Sequence, residues 1–301
     1  MFENDSLFDT VVNYCHNQYI LNDCNRCDYN GCCPGNPCGN CKQCLEEVHY
    51  PSRYPSGRKD YECDRMLYFY VCDYAEKYGS EMLYLMRKSK ALEEIEKYHV
   101  LSIGCGSCPD LMALERYCSE EAYTKSISYV GIDVNERWNI IHKRIENYNS
   151  NIIKKVQFRY YDAVDDDYTI SNTNVVVLQY VISHLYNNGQ IEQVNDFFRK
   201  LIDDIIVRKQ EEVPMVILIN DVNSIYRGRD YFEDLVDQLR DSDFSGNCNR
   251  YYFDYNIQND AQRYGEKHKT VNTIFSLPNE FESIYQPWHY CSSAQLLIEV
   301  W

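Results

Sequence analysis

Residues 100–111 read VLSIGCGSCPDL. An apolar run leads into two glycines one residue apart, and an acidic residue then opens a stretch of helical period. The pattern is a buried strand, a tight turn and a helix start. Gly104 and Gly106 let the backbone turn sharply and let a ligand approach without a Cβ in the way. The helix that begins near Asp110 turns its N-terminus toward that turn, and helix N-termini favour negative charge. The unit then repeats. SISYVGID (126–133), KKVQFRYYD (154–162), NVVVLQY (174–180) and PMVILIND (214–221) read as strands. DLMALERYCSEEA (110–122), NERWNIIHKRIENY (135–148), residues 190–209 and RDYFEDLVDQLRD (229–241) read as helices. Apolar strands alternating with helices predict an α/β fold with a doubly wound parallel sheet. RYYFDYN (250–256), KTVNTIFSL (269–277) and AQLLIEVW (294–301) follow with no long helix between them, which predicts antiparallel strands at one edge.

Ligands of such a sheet sit beyond the carboxyl ends of the strands, at the point where strand order reverses. The residues worth reading therefore follow each strand. Asp133 ends the second strand and suits hydrogen bonds to the two hydroxyls of a ribose. Asp162 ends the third and could accept a hydrogen bond from an adenine amino group. A nicotinamide-binding turn needs glycine or alanine where Pro109 stands, which argues against that cofactor.

VLSIGCGSCPDL, YVGIDVNERW, FRYYDA and NVVVLQYVISHLY, in that order, resemble the motifs of class I S-adenosylmethionine-dependent methyltransferases. The resemblance covers residues 98–301 and rests on order and spacing more than on any one motif. It implies a Rossmann-like sheet of seven strands, the last antiparallel and inserted. It implies that Ser102 and the Gly104–Cys105–Gly106 backbone contact the methionine part of the cofactor. Asp133 would hold the ribose, with Val134 beside it; Asp162 and Ala163 would contact the adenine. Gln179 and Tyr180 would line the pocket beside the substrate. Two departures stand out: Ser102 occupies a position the family usually makes acidic, and Cys108 replaces the third glycine of the loop. Methyl transfer from a sulfonium is an in-line displacement, so alignment of the reactants does most of the work. A base is needed only if the acceptor must lose a proton, and His184, with its near-neutral intrinsic pKa, could serve, with Tyr180 alongside. The tetrad that adenine-amine methyltransferases carry after the fourth strand is replaced here by LQYVISHL. Asn220 and Asp221 end the fifth strand, facing either the acceptor or a helix start. Cys105 or Cys108 could be a nucleophile if the helix N-terminus lowered its pKa, although no partner base is visible in the sequence.

Upstream, residues 5–21 read as a short amphipathic helix capped by Asp5 or Ser6, with Leu7, Val11, Tyr14 and Gln18 on its face. Residues 22–58 offer little room for regular structure, and 60–96 read as one or two helices interrupted at Gly79-Ser80. Seven of the chain's 15 cysteines fall in CNRCDYNGCCPGNPCGNCKQC, residues 24–44. Cys24-x2-Cys27 and Cys38-x2-Cys41 form paired knuckles of zinc-binding spacing, with the ion as a structural staple. Cys32, Cys33, Cys44, His49 and Cys63 are within reach as further ligands. The spacing Cys33-x4-Cys38-x2-Cys41 also keeps an iron–sulfur cluster open. The domains expected are a helical, zinc-binding module over 1–96 and a catalytic domain over 97–301.

The formal net charge is −16. An acidic chain repels polyanions at long range and gives no strong DNA-binding signal. Residues 22–65, with six Lys/Arg against seven Asp/Glu, are the least repulsive stretch. No apolar run is long enough to cross a bilayer, and the first residues lack a secretory pattern, so a cytoplasmic location is expected. Reduced thiols in that compartment weigh against disulfides. The expected function is methyl transfer to an acceptor, whether small molecule, RNA or protein, recognised with help from the zinc module. The alternative is an inactive, cofactor-binding, zinc-containing regulatory protein.

Overall fold

The computed structural model describes residues 6–21, 40–120, 125–166, 170, 172–206, 213–224, 227–242, 245–255, 257 and 262–301. Cys24, Cys27, Cys32, Cys33 and Cys38 lie outside them.

Strands β1 (Lys97–Ile103), β2 (Ser126–Ile132), β3 (Ile153–Arg159), β4 (Val175–Gln179), β5 (Met215–Val222), β6 (Gly246–Tyr252), β7 (Glu266–Lys267) and β8 (Ser293–Val300) form one sheet in the order β3-β2-β1-β4-β5-β8-β6-β7. β1 to β5 are parallel, and β8 runs antiparallel to both its neighbours, β5 and β6. Seven strands are of full length, the last inserted antiparallel, as expected; β7 is a two-residue addition at the edge. The order reverses at β1, which pairs with β2 on one side and β4 on the other.

Alternation along the central strands feeds two cores. Val100, Val175, Val177, Val216 and Leu218 face one side, with helices α1 (Leu7–Leu21), α3 (Asp64–Met86), α5 (Pro109–Glu120) and α6 (Asn139–Glu146). Leu101, Ile103, Val176, Leu178, Ile217 and Ile219 face the other, with α8 (Val194–Leu201) and α9 (Phe232–Asp241). Covering both faces explains why these strands read as continuous apolar runs. Each Leu, Ile or Phe so buried contributes roughly 1.5–3 kcal/mol.

The N-terminal helices lie directly on the sheet. Ser6 caps α1: its Oγ accepts from the Asp9 N–H at 3.1 Å and donates to the Asp9 carboxylate at 2.5 Å. The buried face of α1 is Leu7, Phe8, Val11, Val12, Cys15 and Tyr19, so Gln18 is not part of it. Residues 22–58 hold one helix the sequence reading did not expect, α2 (Cys41–His49), capped by Asn40 and burying Cys41, Cys44, Leu45 and Val48. α3 is continuous through Gly79-Ser80. Gly79 is there because the Phe275 ring would lie 3.1 Å from a Cβ. Ser80 is there because its Oγ donates to Glu76 O and accepts the N–H groups of Ile274 and Phe275. α4 (Lys90–Glu94) then leads into β1. KTVNTIFSL contributes only an isolated bridge, Asn272 to Tyr290, and is otherwise occupied in packing on α3; a short helix, α10 (Asn279–Tyr285), follows it. No helix among the described residues is long and apolar enough to cross a membrane.

Candidate active site

The β1–α5 turn is built by three residues in the left-handed region: Gly104 at φ +64°, Gly106 at φ +48° and Cys108 at φ +59°. A Cβ on Gly104 would approach Val181 Cγ2 to 2.8 Å, so close passage of α7 (Val181–Asn187) requires glycine. The turn closes with Cys108 N–H donating to Cys105 O at 2.8 Å. It is tied to the β2 tip, where Gly106 N–H donates to Asp133 Oδ2 at 2.9 Å and Asn135 N–H to Oδ1 at 2.9 Å. Burial raises the Asp133 carboxyl to about 6, against the pull of those two N–H groups. At the β3 tip, Asp162 Oδ1 accepts from Val164 N–H at 2.9 Å.

The β4 tip carries Gln179 and Tyr180, the latter at φ +59°. Gln179 Nε2 donates to Tyr78 O at 2.9 Å, while its Oε1 is buried without a partner among the described residues. Tyr180 Oη donates to Glu81 Oε2 at 2.7 Å and receives a hydrogen bond from Lys77, which also pairs with Glu81 Oε1 at 2.9 Å. Glu81 is fully buried and also accepts from Asn220 Nδ2 and from the N–H groups of Ser292 and Ser293. Burial and the Glu81 charge hold the Tyr180 phenol protonated, well above its ordinary value.

These tips open into a cavity of about 510 Å³. Gly104, Gly106, Asp133, Val134, Asp162, Ala163, Gln179, Tyr180 and His184 all line it. Ser102 and Cys105 do not; both are buried behind the turn.

The rest of the wall comes from residues the sequence reading passed over. Tyr70, Tyr74 and Tyr78 repeat every four residues on α3 and all face the cavity. Their rings pack in series, Tyr70 to Tyr74 at 5.1 Å and Tyr74 to Tyr78 at 5.2 Å, and Tyr78 continues onto Tyr180 at 4.3 Å. Tyr61 and Trp138 extend the wall. Four-residue spacing of one aromatic type was the available signal, and among 29 tyrosines in the chain it does not stand out. Asn135 Nδ2 donates to Asp60 Oδ1 at 3.2 Å and Tyr61 O at 3.0 Å, fastening the segment before α3 to the β2 tip.

Two histidines stand at this wall. His49, open in the sequence as a metal ligand, instead sets Nε2 2.9 Å from Tyr61 Oη and Nδ1 3.3 Å from Tyr74 Oη. Burial is the main reason its pKa falls to about 4. His184 lies parallel to the Tyr61 ring, with Nε2 2.9 Å from Asn188 Nδ2. Burial lowers its pKa too, and Asp60 acts against the shift.

Other candidates resolve differently. Asp221 does not face the acceptor space. Its Oδ2 accepts the N–H groups of Ile182 and Ser183 at the start of α7, and burial raises its pKa to about 6. Asn220 is fully buried against Ser293 and Gln295. Cys105 and Cys108 are not activated thiols: desolvation raises both pKa values and outweighs any helix-dipole effect. Cys41 opens α2, while the other three proposed zinc ligands lie outside the described residues.

No protein-family model matches the chain, and no curated protein sequence matches it. Several solved structures are similar to it. The methyltransferase domain of a bacterial Hen1 is 14% identical, at a TM-score of 0.42, over 72% of this chain and 98% of that one. The plantazolicin methyltransferase BpumL, solved with S-adenosylhomocysteine (SAH), is 11% identical at 0.39, over 96% of this chain and 98% of that one. An rRNA methylase from Streptococcus thermophilus is 12% identical at 0.37, over 73% and 93%.

Proposed function

We propose that the chain transfers a methyl group from S-adenosylmethionine to an acceptor held against the tyrosines of α3. The observation that carries this reading is the continuity of one cavity: the strand tips at the switch point and the aromatic wall open into each other.

The residues present fit the cofactor. The Asp133 carboxylate, fixed by two N–H groups, keeps lone pairs for the ribose hydroxyls. Val134, Asp162 and Ala163 line the cavity near it and would contact the adenine. Gly104 and Gly106 keep the turn clear of side chains for the methionine part, with Ser102 and Cys105 supporting the turn from behind. Once bound, S-adenosylmethionine supplies an electrophilic methyl group on a sulfonium. The chain's own task is then to align the acceptor with it. The rings of Tyr78 and Tyr180 would pack on the acceptor, and Gln179 Oε1 would accept a hydrogen bond from its N–H or O–H. His184, neutral at pH 7 because burial lowers its pKa, can take a proton, and Asp60 would favour the imidazolium that results.

The N-terminal cysteines fit a structural zinc ion held by Cys24, Cys27, Cys38 and Cys41. Cys41 begins the helix that ends at His49, so such an ion would steady one side of the acceptor wall. The acceptor would be a small molecule or one residue of an RNA or a protein, inserted into the cavity.

Calorimetric titration with S-adenosylmethionine, followed by transfer of labelled methyl into a fractionated cell extract, tests the reading. Binding and a labelled fraction are expected. No binding would sink the proposal, and binding without transfer to any fraction would favour a non-catalytic sensor.

A further inference from the structure

The β1–α5 turn has a side that does not face the cavity. There the Cys105 and Cys108 sulfurs and a ring nitrogen of His142, from α6, all lie within 4.8 Å of one another. The three residues are 4%, 0% and 1% exposed, and none lines the cavity. Cys105 Sγ is 3.9 Å from His142 Nε2. The Gly106 carbonyl oxygen is 2.7 Å from the same nitrogen and 3.8 Å from Cys108 Sγ. Two sulfurs and one ring nitrogen therefore converge behind the turn, where the nitrogen donates its hydrogen to the Gly106 oxygen.

The surroundings fix each donor. The His142 ring is stacked on Phe158, 3.7 Å between centroids and 6° from parallel, and its Nδ1 is 3.0 Å from Tyr160 Oη. Gly131 on β2 leaves room for a sulfur: a Cβ there would come within 2.8 Å of Cys105 Sγ. Cys108 adopts φ +59°, a conformation uncommon for a residue with a side chain, and this brings its thiol back toward Cys105.

We propose that Cys105, Cys108 and His142 bind a thiophilic divalent cation of the zinc type, with the Gly106 carbonyl as fourth ligand. Zinc takes sulfur at about 2.3 Å and imidazole nitrogen at about 2.0 Å in a tetrahedron, which puts neighbouring donors roughly 3.5 Å apart. The Cys105 Sγ–His142 Nε2 pair, at 3.9 Å, is already near that spacing, and the Nε2–Gly106 O pair, at 2.7 Å, opens once Nε2 gives up its proton. Binding releases the two thiol protons to solvent. The His142 proton then sits on Nδ1 and is donated to Tyr160 Oη, the outer hydrogen bond that orients a ligating imidazole. Among the described residues no N-terminal cysteine belongs to this cluster.

The test uses the full chain, loaded with zinc and freed of excess, with metal counted per chain by elemental analysis. Cys105→Ala and His142→Asn are each expected to hold one equivalent less than the unaltered chain, whatever the N-terminal cysteines hold. An unchanged count in folded variants overturns the site. A second readout needs no substitution: cadmium-113 is loaded into the unaltered chain with nitrogen-15-labelled histidine. Coupling of cadmium to the His142 ring nitrogen supports the site, and its absence overturns it. A metal-free chain whose 105–108 peptide is two hydrogen atoms lighter and resists alkylation assigns the thiols to a disulfide, which also overturns it.

Discussion

The two halves of the cavity are made of different material. At the strand tips the surface is largely backbone: glycines at positive φ and carboxylates held by neighbouring N–H groups. At the aromatic wall it is side chain, delivered by α2, α3 and the segment between them. The first half is fixed by hydrogen bonds that tie one strand tip to the next turn. The second is fixed by ring packing and by hydroxyls shared with His49, so it can change residue by residue. A conserved reagent at the first half and an acceptor particular to this chain at the second would suit that division.

The largest test of the comparison is Asp133→Ala. Hydrogen bonds to a charged group are worth about 1.5–3 kcal/mol each, so losing two should weaken S-adenosylhomocysteine binding about a hundredfold or more. Calorimetry checks this, and unchanged affinity would break the assignment of the halves. Next is acid. His49 has its folded pKa lowered to about 4 from an ordinary value of 6.5. The unfolded chain therefore binds the proton first as pH falls. Stability from this group is complete above about pH 6.5 and is lost toward pH 4, by about 3 kcal/mol at most. Urea unfolding at pH 7 and pH 4.5 should show a smaller acid loss for His49→Phe than for the unaltered chain. Gly104→Ala comes third: a side chain at φ +64°, pressed on Val181, should cost about 2 kcal/mol of stability and reduce cofactor binding. Smallest is Tyr74→Phe, which removes one hydroxyl from His49. It should lower stability by about 1 kcal/mol and leave S-adenosylhomocysteine affinity unchanged; a weaker affinity would mean the halves are not separate.

The strand-tip half was legible because its determinants are local. VLSIGCGSCPDL and YVGID specify a strand, its turn and the residue at its end, and parallel pairing brings the ends together. The aromatic half depends on where α3 lies on the sheet. Tyr70 and Tyr180 are far apart in sequence, and nothing short of the packed structure joins them. Gly79-Ser80 misled for the same reason: each suits a long-range partner, Phe275 or the Ile274 and Phe275 N–H groups, rather than a break in the helix. KTVNTIFSL has strand composition, yet its backbone is divided between one bridge to residues 289–291 and side chains of α3. For Asp221 the sequence left the acceptor and a helix start both open, and α7 takes it as a cap.

Glu81 has an evolutionary consequence. Its carboxylate satisfies Tyr180, Asn220 and the backbone of Ser292 and Ser293, so the helix bearing the aromatic wall also completes the interior of the sheet. A gene fragment beginning at Lys97 would leave those buried donors without an acceptor. Under the proposed function, acceptor preference could not be exchanged by swapping the N-terminal segment as a cassette. It would have to drift by point changes on the cavity-facing rungs of α3, at Tyr70, Tyr74 and Tyr78, while Lys77 and Glu81 stayed in place.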